Sequence, residues 1–429
     1  MVKKRRQPSN EAAAPAQAKA HALPASKPPA AYAPVLNAGF QATTARVQDM
    51  HQAISGQTFD HLLRMPGLAG PTRLVQGLHD AIAQGVYAAV RHGGGAALAL
   101  ASHAERLATD PDRVPGAREQ TARSALNGVF GDSLMDAGSA LAIRMGLHAE
   151  GAPLAVTPEA LQALRPRVCV FVHGLACDER SWALRSEAWQ GSPWAKVLTD
   201  AKPPQYGALL ERECDVSAVY LRYNTGLAID NNAQQLGLLL ARAAAVAPQV
   251  REWVLIGHSM GGLVARRAHA LATVVGERWA AATTMIVCLG SPHQGAPLEK
   301  AGQLAAAALS VSNITQPLAR IANARSRGIK DLRHGLKGQP RAASPALRMV
   351  FATLGDASEA GALFGKLFGD GLVMPGSAGD VGLAGDIERV ELDGLGHMGL
   401  LNHPRVYAVL RRWLGAPELS PASVAAPRG

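Results

Sequence analysis

The run Gly257-His258-Ser259-Met260-Gly261 holds the residues of this chain best placed to do chemistry. It follows the apolar stretch Trp253-Val254-Leu255-Ile256 and leads, through Gly262, into the helix-like Leu263-Val264-Ala265-Arg266-Arg267. G-x-S-x-G between a strand and a helix is the context that gives the motif meaning: the serine sits on a sharp, strained turn that lifts its hydroxyl above a sheet. The flanking glycines let the strand and helix backbones approach closely. At the helix N-terminus, the positive end of the dipole favours a developing oxyanion. A serine so placed attacks an acyl carbonyl, and for that it needs a general base and oxyanion donors.

Both requirements find residues in the sequence. The apolar run Val168–Val172 leads into His173-Gly174-Leu175, a turn placed ahead of the nucleophile. One oxyanion donor is expected from the backbone N–H of Met260, next to the serine, and the second from the N–H of Leu175. Chain order Ser, acid, His disfavours His258 and every earlier histidine as base. His397, in Leu395-Gly396-His397-Met398-Gly399, follows the last strand-like run and precedes a closing helix, which suits the base. His403, in Asn402-His403-Pro404, reads as a helix start, while His293 reads as a residue that shapes the site and His173 as a structural hydrogen-bonder. The acid should lie between Met349–Leu354 and His397, which leaves Asp356, Asp370, Asp380, Asp386 and Asp393. Asp370, on the tight Phe368-Gly369-Asp370-Gly371-Leu372-Val373 loop, is favoured, with Asp356 next.

These side chains need a sheet to hold them. From Arg167 onward short apolar runs alternate with helical stretches, the signature of a parallel sheet with crossover helices. Strands are expected at Val168–Val172, Ala218–Arg222, Trp253–Ile256, Met285–Leu289, Met349–Leu354 and Arg389–Leu392. Helices are expected around Ala233–Ala245, Gly262–Val275 and Arg405–Leu414. The fold class is therefore α/β, with an α/β-hydrolase domain over 160–415, a mostly parallel sheet flanked by helices. Residues 41–150 read as a helical accessory segment, with Leu74, Leu78, Ile82, Val86 and Val90 at helix spacing. The long apolar stretch at 296–340, with Leu304, Leu309, Val311 and Ile314, reads as a cap or lid over an acyl pocket. Residues 1–40 form a basic Ala/Pro-rich tail with too little apolar content to join a core, and 416–429 a second disordered tail.

Composition narrows the partners. A net charge of +10 invites a nucleic-acid reading, but no stretch interleaves basic and aromatic residues, so an Arg-rich solvated surface is the simpler account. The basic residues of the tail (Lys3, Lys4, Arg5, Arg6, Lys19 and Lys27) also suit peripheral contact with an anionic membrane. Cys169, Cys177, Cys214 and Cys288 show neither C-x-x-C nor zinc spacing, so no metal or other cofactor is expected, and a reducing, cytoplasmic setting is the default. Two rivals use the same features. An acyltransferase or thioesterase would use the same acyl-enzyme, and a non-catalytic membrane-associated binding protein would use the basic tail and amphipathic helices.

The stretch Gly257–Arg266 resembles the nucleophile elbow of bacterial lipases and of the esterase group related to GPI inositol-deacylases. The resemblance extends through Val172–Leu175, Tyr220–Gly226, Leu289–Glu299, Ile329–Gly335, Gly369–Val373 and His397–Leu401, and so covers roughly 167–414. It implies cleavage of an ester or lipid substrate by Ser259 as nucleophile, Asp370 as acid and His397 as base. It also implies Leu175 and Met260 as oxyanion donors. Two features depart from the group's pattern. Gly290-Ser291-Pro292-His293 stands where Gly-Thr-Pro-His is commoner, and the loop after Asp370 continues as Met374-Pro375-Gly376-Ser377-Ala378.

Overall fold

The computed structural model describes residues 116–136, 138–195, 204–295, 326–332, 334–336, 345–354, 373, 377 and 385–416, with scattered positions between 41 and 88. Of the latter, all but one are helical. The expected tails lie almost wholly outside these residues, as do Asp356, Asp370, Asp380 and most of the expected cap.

Eight strands form one sheet in the order β2-β1-β4-β3-β5-β6-β7-β8. The strands are β1 (Gly146–Ala149), β2 (Ala152–Leu154), β3 (Arg167–Val172), β4 (Ser217–Arg222), β5 (Glu252–His258), β6 (Thr283–Leu289), β7 (Ala346–Thr353) and β8 (Ile387–Asp393). From β4 to β8 every pairing is parallel, while β1 pairs antiparallel with both β2 and β4. All six expected strands are present. The two extra ones lie ahead of 160: β1 falls at the end of the segment 41–150 that reads as helical, and β2 follows just after it. β2 is three residues long and carries Pro153, which an edge strand tolerates and a central one does not.

The period-2 alternation of the strands divides the core into two layers. Val168, Val170, Val172, Val219, Leu221 and Leu255 face one side. There they meet helix α1 (Ala117–Asp136), α3 (Ile229–Val246) and α4 (Met260–Val274). Cys169, Phe171, Ala218, Tyr220, Val254 and Ile256 face the other, against Trp182, Trp189, α2 (Tyr206–Glu213) and α6 (Pro404–Trp413). Between β6 and β7 lies the short helix α5 (Arg327–Leu332). Burial of each large side chain in these layers contributes about 1.5–3 kcal/mol, which holds the strand ends in a fixed relation. All four cysteines are free thiols. Among the described residues no helix is long and apolar enough to cross a membrane, and no His/Cys/Asp/Glu cluster suits a metal ion.

Candidate active site

β5 ends at His258 and α4 begins at Met260, so Ser259 alone makes the turn between them. Its φ of 53° and ψ of −122° fall where a non-glycine residue is strained, and such strain persists only when the surroundings impose it. The surroundings here are close-packed backbone. A Cβ at Gly257 would collide with Gly262, and one at Gly261 with the carbonyl oxygen of Val172. One at Gly262 would strike the Ser291 hydroxyl. The Ser259 N–H donates to the Leu289 carbonyl at 2.8 Å, docking the turn onto the end of β6. Gly261→Ala is thus expected to destabilise the fold by about 1–3 kcal/mol or more through overpacking. Chemical denaturation of the variant checks this, and a midpoint equal to that of the unaltered chain would contradict it.

The turn after β3 stands beside the serine. A Cβ placed on Gly174 would lie 3.1 Å from Ser259 Cβ and 3.1 Å from His258 Nδ1. Leu175 follows and is buried, and Met260 opens α4, where a first-turn N–H has no acceptor within its own helix. The two amides expected to hold an oxyanion therefore belong to two different elements, Leu175 following the Gly174 that adjoins Ser259 and Met260 following Ser259 itself. His173 is fully buried and stacks on Tyr223 with ring centroids 4.5 Å apart, while its Nδ1–H donates to the Gly174 carbonyl at 3.0 Å. The Tyr223 hydroxyl donates to the His173 carbonyl at 2.8 Å. This is the structural role expected of His173.

His397 opens a 3-10 turn after β8 and is buried at the same carboxyl-terminal side of the sheet as Ser259. Its ring lies against Gly290, where an added Cβ would sit 3.2 Å from both Nδ1 and Cε1. Gly290 adjoins Leu289, whose carbonyl takes the Ser259 N–H. The His397 loop is also pinned from behind. Tyr206 donates to the Leu400 carbonyl at 3.0 Å, and Trp189 donates to Asn402 at 3.1 Å. His403 caps α6, accepting from the Arg405 N–H at 3.2 Å, as its helix-start context suggested.

His258 is a site residue that the sequence reading passed over. Its Nε2–H donates to the His397 carbonyl at 3.1 Å and its ring lies 4.8 Å from the His397 ring. The residue before Ser259 thus ties the serine turn to the loop of the candidate base. Only its place in the motif was visible beforehand, since G-x-S-x-G leaves that position open.

Of the candidate acids, Asp386 is exposed and pairs with Arg348 at 2.8 Å, and Asp393 pairs with Arg405 at 2.5 Å. Asp356, Asp370 and Asp380 lie outside the described residues. The chain soon after Asp370 does reach the site region: Val373 is buried, and Ser377 donates to the Gly295 carbonyl at 2.7 Å while its own carbonyl accepts the His293 N–H at 3.1 Å.

His293 is fully buried, and its Nδ1 accepts from Arg266 of α4 at 2.6 Å. Burial, then the charges of Arg266 and Arg389, hold this imidazole well below the usual histidine range. Burial lowers His173 as well. Both rings stay neutral in the fold while the unfolded chain takes up protons below about pH 6.5, so stability is lost as the pH falls through that value. The melting temperature is expected to drop between about pH 7.5 and about pH 5, with a shallower drop in His293→Gln. Melts across that range test this, and a flat profile would contradict it.

Sheet order, strained serine turn and adjoining His-Gly turn define an α/β-hydrolase fold. A family model described as the PGAP1-like alpha/beta domain matches residues 226–333, a stretch that includes the Ser259 turn. The chain is also similar to three solved structures. One is a lipase of Bacillus licheniformis in mature form, 16% identical over 63% of this chain and 97% of that one, with a TM-score of 0.39. Another is a lipase-esterase related protein from Clostridium acetobutylicum, 12% identical over 59% and 95%, with a TM-score of 0.37. The third is a thermophilic esterase from Thermogutta terrifontis, 14% identical over 63% and 92%, with a TM-score of 0.34. Comparison with curated proteins finds no significant match.

Proposed function

We propose that this protein is a serine hydrolase that cleaves carboxylic esters through an acyl-enzyme on Ser259. The observation that carries the reading is the strained Ser259 at the carboxyl end of the central strand β5, with the His173-Gly174-Leu175 turn on one side and the His397 loop, tethered through His258, on the other. In the first step His397 takes the Ser259 proton as the oxygen attacks the ester carbonyl. The N–H groups of Leu175 and Met260 receive the oxyanion, and the alcohol leaves with the proton from His397. Water, deprotonated by His397, then attacks the acyl-enzyme, and the carboxylic acid departs as Ser259 regains its proton. Asp370 holds the imidazole in the required tautomer and stabilises its cation. No cofactor enters these steps. We propose a reducing, cytoplasmic setting for the activity, with which the four free thiols are consistent.

The test is hydrolysis of p-nitrophenyl esters from acetyl to palmitoyl, with and without an added primary alcohol. Phenolate release with free acid as the main product is expected. Acyl transfer to the alcohol at the expense of the acid would make the protein an acyltransferase, and no turnover with any ester would overturn the reading.

A further inference from the structure

Helix α1 precedes the whole sheet in sequence, yet it packs on the turn that carries Leu175. Gly128, in the middle of α1, faces Ala176: a Cβ built there would lie 2.7 Å from Ala176 Cβ and 2.9 Å from its Cα. Carbon atoms do not approach so closely unless something shifts. A mid-helix glycine costs about 1 kcal/mol relative to alanine, so here local helix propensity yields to a close approach. Ala176 itself has φ 59°, and its N–H donates to Thr225 Oγ1 at 3.0 Å. The Cys177 N–H closes the turn onto the Gly174 carbonyl at 3.3 Å.

One helical turn before Gly128, Ser124 donates to Asp178 Oδ2 at 3.0 Å. Asp178 is also held by Arg180 at 2.5 Å, and Arg180 reaches back to the Ala117 carbonyl at 2.7 Å. Although burial pushes the Asp178 carboxyl upward, these partners keep it below the usual carboxylate range. Residues 176, 177 and 178 are therefore each fastened, two of them against α1, and Leu175 is the peptide immediately before them.

The geometry points to α1 as the element that positions the oxyanion turn, with Gly128 as the positioning residue that sets where the Leu175 N–H sits. This rests on the acyl-enzyme reading above. An oxyanion donor acts only near 2.7–3.1 Å from the charge it receives, so displacing the turn by a few tenths of an ångström weakens transition-state binding more than ground-state binding.

The test uses the full chain, with active sites titrated by a fluorophosphonate. Gly128→Ala is expected to lower kcat per titrated site by about 10- to 100-fold, with KM within about 3-fold and an unchanged far-UV spectrum. Adding Ala176→Gly removes the nearest contact and suits φ 59°, while the backbone contact at 2.9 Å remains, so the double variant should recover part of the loss. A role in stability alone would lower the melting temperature or the number of titrated sites and leave kcat per site unmoved. Unchanged kcat per site in Gly128→Ala, or a loss that Ala176→Gly does not relieve, overturns the inference. Should Gly128→Ala fail to fold, Ser124→Ala takes its place, with a several-fold fall in kcat per site supporting the inference and wild-type kcat overturning it. An unaltered chain that neither labels nor hydrolyses esters would instead sink the functional reading itself.

Discussion

Ser259→Ala is expected to lower kcat on activated esters by on the order of 10⁴-fold or more while leaving the melting temperature nearly unchanged. The size follows from what is removed. Without the hydroxyl no acyl-enzyme forms, and only the two N–H groups and substrate binding remain to help water attack. The fold should tolerate the change because no described hydrogen bond of the turn uses the hydroxyl: the N–H of Ser259 holds β6, and its carbonyl accepts the Gly262 N–H at 3.2 Å. Alanine meets the strained φ of 53° no better and no worse than serine does. Steady-state rates and thermal melts of the two proteins decide the matter. Near-normal turnover by the alanine variant would remove Ser259 from the chemistry.

The second large effect concerns the acid. Asp370→Asn is expected to reduce kcat by about 10³- to 10⁴-fold, because an amide donating to His397 would hold the imidazole in the wrong tautomer. Asp356→Asn is expected to stay within a few-fold of the unaltered chain. Asp370 is favoured by its downstream neighbours: Val373 is buried, and Ser377 docks on His293 and Gly295, in the stretch that follows Gly290, the glycine facing the His397 ring. A silent Asp370→Asn beside a crippled Asp356→Asn would place the acid at the end of β7 instead.

The sheet from β3 to β8 was legible because β3 to β7 each carry a short apolar run and β8 alternates Val390 and Leu392 with charged residues, each followed by a turn or helix signal. Val168–Val172 and Trp253–Ile256 are strands buried on both faces, so their sequences stay apolar throughout. β1 and β2 were not legible: Gly146-Leu147-His148-Ala149 and Ala152-Pro153-Leu154 have little strand propensity, and they are strands because β4 offers β1 an edge and β1 in turn offers one to β2. Ser259, Gly257 and Gly261 were legible from local sterics alone. The parts played by His258 and Gly128 were not, because each depends on a residue distant in sequence, His397 in one case and Ala176 in the other.

The most direct test of the central claim is to label the full-length protein with a fluorophosphonate and locate the adduct by peptide mass spectrometry. A single adduct on Ser259, formed at a rate that falls with His397→Ala and blocked by prior incubation with a substrate ester, is the expected result. An adduct on another residue, or ester hydrolysis that continues while Ser259 stays unlabelled, would contradict it.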